Sequence, residues 1–522
     1  MKSIGLQNVK AFKDTGDIEL VPITIFVGQN SCGKSSFIRF PVVLSQTFDN
    51  EASGICLHSN QPGTIDYGNF QDIVYQHQGD TFSFSFTEDY KKIYRNFGLG
   101  NIPKTDKTYM LRCTIAFTKV HNEKASEIEI SRFVVEIDDE LAFEIVQGEK
   151  PYICIKKAIT KDQVMDVDTT IFFDSKLKLS LSRYYNPISD DVILKGIIST
   201  FYRNNRSVYN AAYSMLSDRF VYYVHEKEKI DNIDEKRYEL SSEQKYLITK
   251  IYEITRQTFD IVVSLIRMLI ADTYNMHYIG PFRNNPQRIY RLDESSRKKV
   301  GHSGEYASDM LINDYFDKGI ITKSVSNWFK ESFGYSICVR ELRSGDFGSG
   351  YYQITLQEEK NHEERNIMDV GYGISQVLPI VIQLAEATTK IRQNSRYNEF
   401  FVIEQPELHL HPAAQAKLAS LFTNAIDNES WRYRRMLVET HSEHFIRALQ
   451  VMIADPKCFL TNKMVKIYYV NKDEITGSSI HEMEMTEEGQ FKEEWPSGFF
   501  DKSFELSSAL LRAIYMRNID KE

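Results

Sequence analysis

The sequence predicts an α/β protein: a sheet that presents a phosphate-binding loop, an antiparallel β subdomain and an inserted helical lobe. Three observations lead there. Gly28-Gln-Asn-Ser-Cys-Gly-Lys34-Ser35 fits G-x-x-x-x-G-K-[ST], between the apolar run Ile23 to Val27 and a helix-like stretch from Ser36. Near the other end of the chain, Phe401-Val-Ile-Glu404-Gln-Pro-Glu407 has the pattern of a buried strand that stops at a carboxylate. Between them the texture passes from period-two alternation to helical spacing and back.

Composition allows a large core. The chain has 522 residues, 42% hydrophobic and 26% charged, within the range of packed globular proteins and far from that of disordered ones. A net charge of −9 excludes a protein that coats nucleic acid through bulk charge, because such binding neutralises phosphates with Lys and Arg. Six scattered cysteines (Cys32, Cys56, Cys113, Cys154, Cys338, Cys458) form no C-x-x-C pair, which suggests free thiols and a cytoplasmic setting. Met1-Lys-Ser-Ile runs into strand-like sequence without a signal-peptide apolar region. The most apolar helix, around Ile251 to Ile270, is interrupted by Arg256, Asp260 and Arg267, so no membrane span is expected.

Along the chain, residues 1–160 read mainly as strands. Phe82-Ser-Phe84-Ser-Phe86 and Phe133-Val-Val135-Glu-Ile137 alternate as in half-buried antiparallel sheet, and only the stretch after Lys34 reads as helix. From about 190 to 276 the pattern is helical, most clearly from Ser241 to Tyr274, where Leu247, Ile251, Ile254, Phe259, Val262 and Ile266 recur at spacings near three and four. From about 277, beginning with Tyr278-Ile-Gly-Pro281, mixed α/β texture returns, and Glu505 to Met516 reads as a last helix.

Each motif has a physical reason. The loop needs glycines so that backbone N–H groups of Asn30, Ser31, Cys32, Gly33 and their neighbours through Ser36 turn toward phosphate oxygens, with Lys34 for the β/γ-phosphates and the Ser35 hydroxyl for Mg²⁺. Glu404 places a carboxylate at the end of a buried strand, where Mg²⁺ must be held, and Glu407 is a second acid able to polarise an attacking water. Asp369-Val-Gly-Tyr-Gly373-Ile-Ser375-Gln376 puts glycines and polar side chains at the start of an apolar helix, an anion site by its backbone donors. Met436-Leu-Val-Glu-Thr440-His441 is another apolar strand with a polar tip, and His441 there suits sensing of a γ-phosphate or of its attacking water.

As an ordered set, the phosphate loop, the Gly-rich Ser-Gln segment, Glu-x-Pro-Glu-x-His-Leu-His-Pro and Glu-Thr-His-Ser-Glu-His resemble the ABC/SMC-type P-loop ATPase heads. More narrowly they resemble bacterial AAA-family ATPases related to the ATPase half of the overcoming-lysogenization-defect endonucleases and to anti-phage defence ATPases, a likeness extended by Tyr278-Ile-Gly-Pro-Phe-Arg283 and Gly301-His-Ser-Gly-Glu305. Texture and motif positions together divide the chain into an N-terminal half of the head (1–160), an inserted, mainly helical lobe that carries no resemblance of its own (161–276), a C-terminal half with signature segment, Walker B acid and switch histidine (277–470), and a short extension (471–522). The resemblance implies ATP and Mg²⁺ as ligands, Lys34 and Ser35 on phosphate and metal, and Glu404 at the Walker B position. It also makes Asp369 to Gln376, with Gly373, Ser375 and Gln376, a loop that covers the ATP of a second copy, and His441 the switch residue. An ATP-sandwich dimer or larger even oligomer follows. Gln71 or Gln76 is the implied Q-loop residue.

Three departures stand out. Glu404-Gln405 replaces the usual Asp-Glu, which passes base catalysis to Glu407 or slows it. Gly373 stands where the signature Ser is expected, leaving Ser375 as the nearby hydroxyl. No Asp-x-Asp follows His441, and the one such triplet, Asp166-Val-Asp168, lies elsewhere, so nuclease activity is not expected. His409-Leu-His411 reads as a subunit-contact loop in preference to a metal pair, and Trp495-Pro-Ser-Gly-Phe-Phe as a buried aromatic latch. Between Pro281 and Val300 six basic residues (Arg283, Arg288, Arg291, Arg297, Lys298, Lys299) face two acids, Asp293 and Glu294, and offer contact to DNA or RNA or else a solvated loop. The leading expectation is an ATPase subunit that senses or scaffolds and controls a separate effector, a nuclease or toxin, in anti-phage defence. The alternatives are an ATPase that clamps DNA in repair or chromosome maintenance, and an ATP-binding structural protein that scarcely hydrolyses.

Overall fold

In the computed structural model of the protein, the residues described are 1–48, 55, 57, 65–97, 108–121, 126–148, 150–159, 164–173, 242–292, 299–344, 347–389, 398–426, 433–473 and 477–496. Expectations for Cys56, for 161–163 and 174–241 of the helical lobe, for Asp293, Glu294, Arg297 and Lys298, for 497–500 of the aromatic latch, and for 505–516 fall outside these residues. The chain divides into two units, one comprising 1–19, 43–59 and 65–274, the other 20–42, 60–64 and 275–522.

The first unit is built on an antiparallel sheet. Its strands are β1 (Ser3–Val9), β2 (Phe12–Asp14), β3 (Ile18–Glu19), β5 (Thr81–Asp89), β6 (Met110–His121), β7 (Ser126–Ile137), β8 (Glu140–Val146), β9 (Tyr152–Ile159) and β10 (Val164–Phe172). From β5 to β10 sequence neighbours pair in turn, and β1 lies between β2 and β5. The alternating phenylalanines do fall on one face: Phe82, Phe84, Phe86, Phe133 and Val135 are buried. Ser83 and Ser85 on the opposite face of β5 are buried as well, because that face is covered locally. Ser83 donates to Gln7 Oε1 (3.3 Å) and Ser85 to Asp17 Oδ1 (3.3 Å). Gly5 makes room for this, since a Cβ there would lie 2.5 Å from Ser85 Oγ.

The first unit holds more helix than alternation suggested. Phe70–Ile73 forms one turn, α2, fixed by a reciprocal capping box between Asn69 and Asp72. Tyr90–Phe97 forms α3, which buries Tyr90 and Ile93 one turn apart. The long helix expected from Ser241 is found as α4, Ser242–Tyr274, with Ile254, Phe259, Val262, Ile266 and Leu269 buried. It packs on α3 and β9. Five cysteines, Cys32, Cys113, Cys154, Cys338 and Cys458, are free thiols. Among the described residues no helix is long and apolar enough to cross a membrane.

The second unit has a six-stranded sheet in the order β11 (Met276–Ile279), β16 (Glu399–Glu404), β17 (Arg434–Glu439), β4 (Ile23–Gly28), β18 (Val465–Asp473), β19 (Gly477–Glu482). The first five are parallel and β19 closes one edge antiparallel. Helices α1 (Lys34–Phe48, of which the part up to Val42 belongs to this unit), α7 (Tyr372–Thr389), α8 (Pro412–Ala425) and α9 (Glu443–Ala454) are joined by α5 (Ala307–Phe316) and α6 (Ile320–Phe333). A smaller antiparallel sheet pairs β14 (Phe347–Glu358) with β12 (Tyr290–Arg291), β13 (Tyr335–Ser344) and β15 (Glu364–Asn366). Every residue of β16 and β4 is buried, as expected for strands covered on both faces. Ile25, Val27, Phe401, Ile403 and Val438 meet Ile380, Leu384, Leu418, Phe422, Phe445 and Leu449 in one core.

Candidate nucleotide site

Parallel strands bring their carboxyl ends to one edge of the sheet, the usual place for ligands in open α/β folds. Here β4 ends in the phosphate loop, β16 in Glu404 and β17 in Glu439. The loop has the backbone its motif demands. Gly28 (φ 145°), Ser31 (φ 61°) and Gly33 (φ 103°) all take positive φ. A Cβ on Gly28 would sit 2.2 Å from the Val470 carbonyl oxygen of β18, so strand packing also requires the glycine. Asn30 and Ser31 are exposed, Ser35 and Ser36 partly so, and Cys32 is buried beneath the loop.

Lys34 Nζ is folded onto its own loop, donating to the carbonyls of Gly28 (3.1 Å) and Gln29 (2.7 Å), and lies 3.9 Å from Glu439 Oε1. The Ser35 hydroxyl donates to Glu439 Oε2 at 2.6 Å. Glu404 is engaged elsewhere. Arg39, on α1, grips it with Nε to Oε1 and Nη2 to Oε2, each at 2.5 Å, and the Tyr278 hydroxyl donates to Oε1 at 2.8 Å. The two acids are direct register partners on adjacent parallel strands. Burial pushes the Glu439 carboxyl above the usual carboxylate range, and the neighbouring Glu404 adds to that, against the pull of Ser35 and Lys34.

Behind Glu404 the chain turns through Gln405, at φ 45°. Arg283 holds this turn from inside, donating from Nη2 to the Glu404 carbonyl and from Nη1 to the Gln405 carbonyl (3.1 Å). Burial brings its guanidinium down to about 10, opposed by Glu407 and Glu404. Gln405 N also donates to the Glu439 carbonyl (2.7 Å), which fastens the turn to β17. Glu407 accepts the backbone N–H of His441 on Oε1 (2.7 Å), while its Oε2 is buried with no hydrogen-bond partner among the described residues. Burial raises its pKa, against the pull of His441, Thr440 and Arg283. His441 is brought down to about 4 by burial and then by the Lys34 cation, so its imidazole is neutral at physiological pH.

The Gly-rich segment opens α7. Gly373 packs so closely on the loop after β16 that a Cβ would lie 2.2 Å from the His409 carbonyl oxygen. The Ser375 hydroxyl turns back to the Tyr372 carbonyl (2.8 Å), and Gln376, 2% exposed, donates to the Arg283 carbonyl (3.3 Å). The exposed side chains at this end are Met368 and Tyr372, with Asp369 paired to Arg288. His411 accepts from Ala413 N as the cap of α8, and His409 lies edge-on to Tyr372 at 5.0 Å. Gln71 and Gln76 belong to the antiparallel unit. In β10, Asp168 is 82% exposed and paired with Lys156. Phe491 and Trp495 pack edge to face at 4.8 Å.

The structure thus adds three residues that motif reading left without a role, Arg39, Tyr278 and Glu439, and it removes Arg283 from the basic segment expected to meet nucleic acid, because that side chain is buried on the Glu404 turn. Glu439 had a visible signal, since β17, like β16, is an apolar run ending in a carboxylate. Arg39 had none, because a helix residue gives no sign of a partner 365 positions away.

A family model described as AAA ATPase domain matches residues 1–446. The chain belongs to this AAA ATPase family. A second model, described as a protein of unknown function (DUF3696), matches residues 460–510. No curated protein is similar to this ATPase in sequence. Among solved structures it is similar to an Smc head bound to the C-winged-helix domain of ScpA, with TM-score 0.39 and 12% identity over 92% of this chain and 97% of that one. It is also similar to an Smc head domain with an extended coiled coil bound to the C-terminal domain of ScpA derived from Pyrococcus furiosus (TM-score 0.36, 11% identity, 98% and 99% covered). A third is the SMC head domain from Thermotoga maritima (TM-score 0.31, 11% identity, 93% and 99% covered).

The donor set suits Mg²⁺. Among the described residues no cluster of three or more His, Cys, Asp or Glu could hold a metal by itself. Hard oxygens from Ser35 and the strand-end carboxylates are what a metal shared with phosphates needs, because Mg²⁺ keeps waters and takes only one or two protein carboxylates.

Proposed function

We propose that the protein binds ATP with Mg²⁺ at this sheet edge, hydrolyses it slowly, and uses the bound state to hold two copies together and control a separate effector protein. The observation that carries the reading is the joining of the phosphate loop to a strand-end carboxylate, Ser35 to Glu439, with Glu404 beside it. Lys34 leaves its loop carbonyls for the β/γ-phosphates, and Ser35 with a strand-end acid would hold the cation, which when bound neutralises phosphate charge. Glu407 is the base: its Oε2, without a hydrogen-bond partner among the described residues, accepts a proton from water, and burial raises its proton affinity. Gln405 is not suited to that task, since an amide takes up no proton. His441, neutral in this state, senses the γ-phosphate. Without a carboxylate directly after Glu404, ATP acts more as a clamp than as fuel for fast turnover.

The control of an effector, in anti-phage defence, rests on the resemblance of the motif set. The test is turnover by purified protein against Lys34→Ala, with and without duplex DNA, together with identification of co-purifying proteins. Equal release of phosphate by both proteins sinks the ATPase reading. Stimulation by DNA with no protein partner moves the assignment to a DNA clamp.

A further inference from the structure

We propose that Glu439 is a ligand of the divalent cation that accompanies the nucleotide, acting beside the Ser35 hydroxyl, while Glu404 is held back by Arg39 and Tyr278. The proposal rests on the ATP reading above and assigns a residue that the motif leaves unassigned. Four observations carry it. Ser35 Oγ, the hydroxyl the loop offers to a metal, is already bound to Glu439 Oε2 at 2.6 Å. Both oxygens of Glu404 are taken by Arg39, and one also by Tyr278. Glu404 and Glu439 occupy paired positions on neighbouring parallel strands, so both carboxylates reach the same edge. Independently, Glu407, whose Oε1 binds the backbone two residues beyond Glu439, keeps Oε2 buried and without a partner among the described residues.

Charge decides the direction. Glu439 is 4% exposed, with Lys34 Nζ at 3.9 Å and a weaker pull from Arg39, whose guanidinium is committed to Glu404. When Lys34 turns to phosphate, that cation is shared with a polyanion. A buried carboxylate beside Glu404 and the incoming phosphates is then short of positive charge, a costly state in a low-dielectric site. A divalent cation at Ser35 and Glu439 supplies the missing charge and keeps the oxygen geometry the two side chains already have. Arg39 meanwhile offsets part of the Glu404 charge, which eases the repulsion between the two acids.

The experiment measures the affinity of a fluorescent ATP analogue in Mg²⁺ and in EDTA for wild type, Glu439→Gln, Glu404→Gln and Ser35→Ala. Glu439→Gln is expected to lose about tenfold or more of the Mg²⁺-dependent gain in affinity while binding in EDTA is kept or improved. Ser35→Ala behaves alike, and the double variant loses no more. Glu404→Gln keeps most of the gain. A Glu439→Gln protein with the full Mg²⁺ gain overturns the proposal. Because a variant can fail to fold, Fe²⁺ with ascorbate and peroxide is applied to wild-type protein bound to ATP. Backbone cuts are expected beside Ser35 and Glu439, and cuts confined to the Glu404 turn overturn the proposal. Absence of any analogue binding by wild type, even in EDTA, defeats the ATP reading itself.

Discussion

At the scale of single residues, the site separates three carboxylates by their partners. Glu404 is tied to Arg39 and Tyr278, Glu439 to Ser35, and Glu407 keeps one oxygen without a hydrogen-bond partner among the described residues. This division yields a kinetic prediction. Glu407→Gln removes the proton acceptor but keeps the His441 N–H contact, so turnover should fall by about 10²–10⁴-fold with ATP affinity nearly unchanged. Phosphate release and analogue binding on the same preparation check it, and undiminished turnover removes Glu407 from the role of base. Glu404 and Glu407 could be read from sequence because each stands where an apolar strand gives way to polar residues. The partners could not, because a hydrogen bond such as Arg39 to Glu404 leaves no mark on local spacing.

Among elements, strand β16 carries charge at both ends. Glu404 faces the site, while Glu399 at its start is buried and accepts from Arg434 Nε (3.1 Å), with His277 Nε2 at 3.3 Å. Arg434 also caps the carbonyls of Ala387 and Ala425, the last turns of α7 and α8. One guanidinium therefore ties two helices to two strands. Arg434→Met should destabilise the protein by about 3–5 kcal/mol, since Glu399 would be left buried with a histidine that burial holds below its ordinary pKa. Thermal and urea unfolding read this, and Glu399→Leu in the same chain should recover part of the loss. Strand identity was legible from alternation, as Phe82, Phe84 and Phe86 illustrate. The burial of Ser83 and Ser85 was not, because it depends on which segment covers the second face.

For the whole molecule, the two-unit division interleaves distant stretches of chain, and both ends of the motif set fall in one unit. Met368 and Tyr372 stand exposed beside the Gly-rich opening of α7, while Ser375 and Gln376 are engaged inside the unit. The segment thus offers a partner copy its backbone and its exposed rim more than those two side chains. Glu407→Gln with ATP and Mg²⁺ should sediment as a dimer or larger even oligomer, and as a smaller species without nucleotide. A single species under both conditions would remove the clamp from the proposal. By itself the sequence determined that a phosphate loop exists, which strands are buried, and which acids stand at strand ends, because these are properties of neighbouring residues. Only the tertiary structure decided which acid meets Ser35, which is gripped by Arg39, and which keeps an oxygen without a hydrogen-bond partner among the described residues. Those pairings depend on strand order in the sheet, where β17 lies between the loop strand and β16. Long-range order of that kind is set by packing of the whole core and is not written in any local pattern.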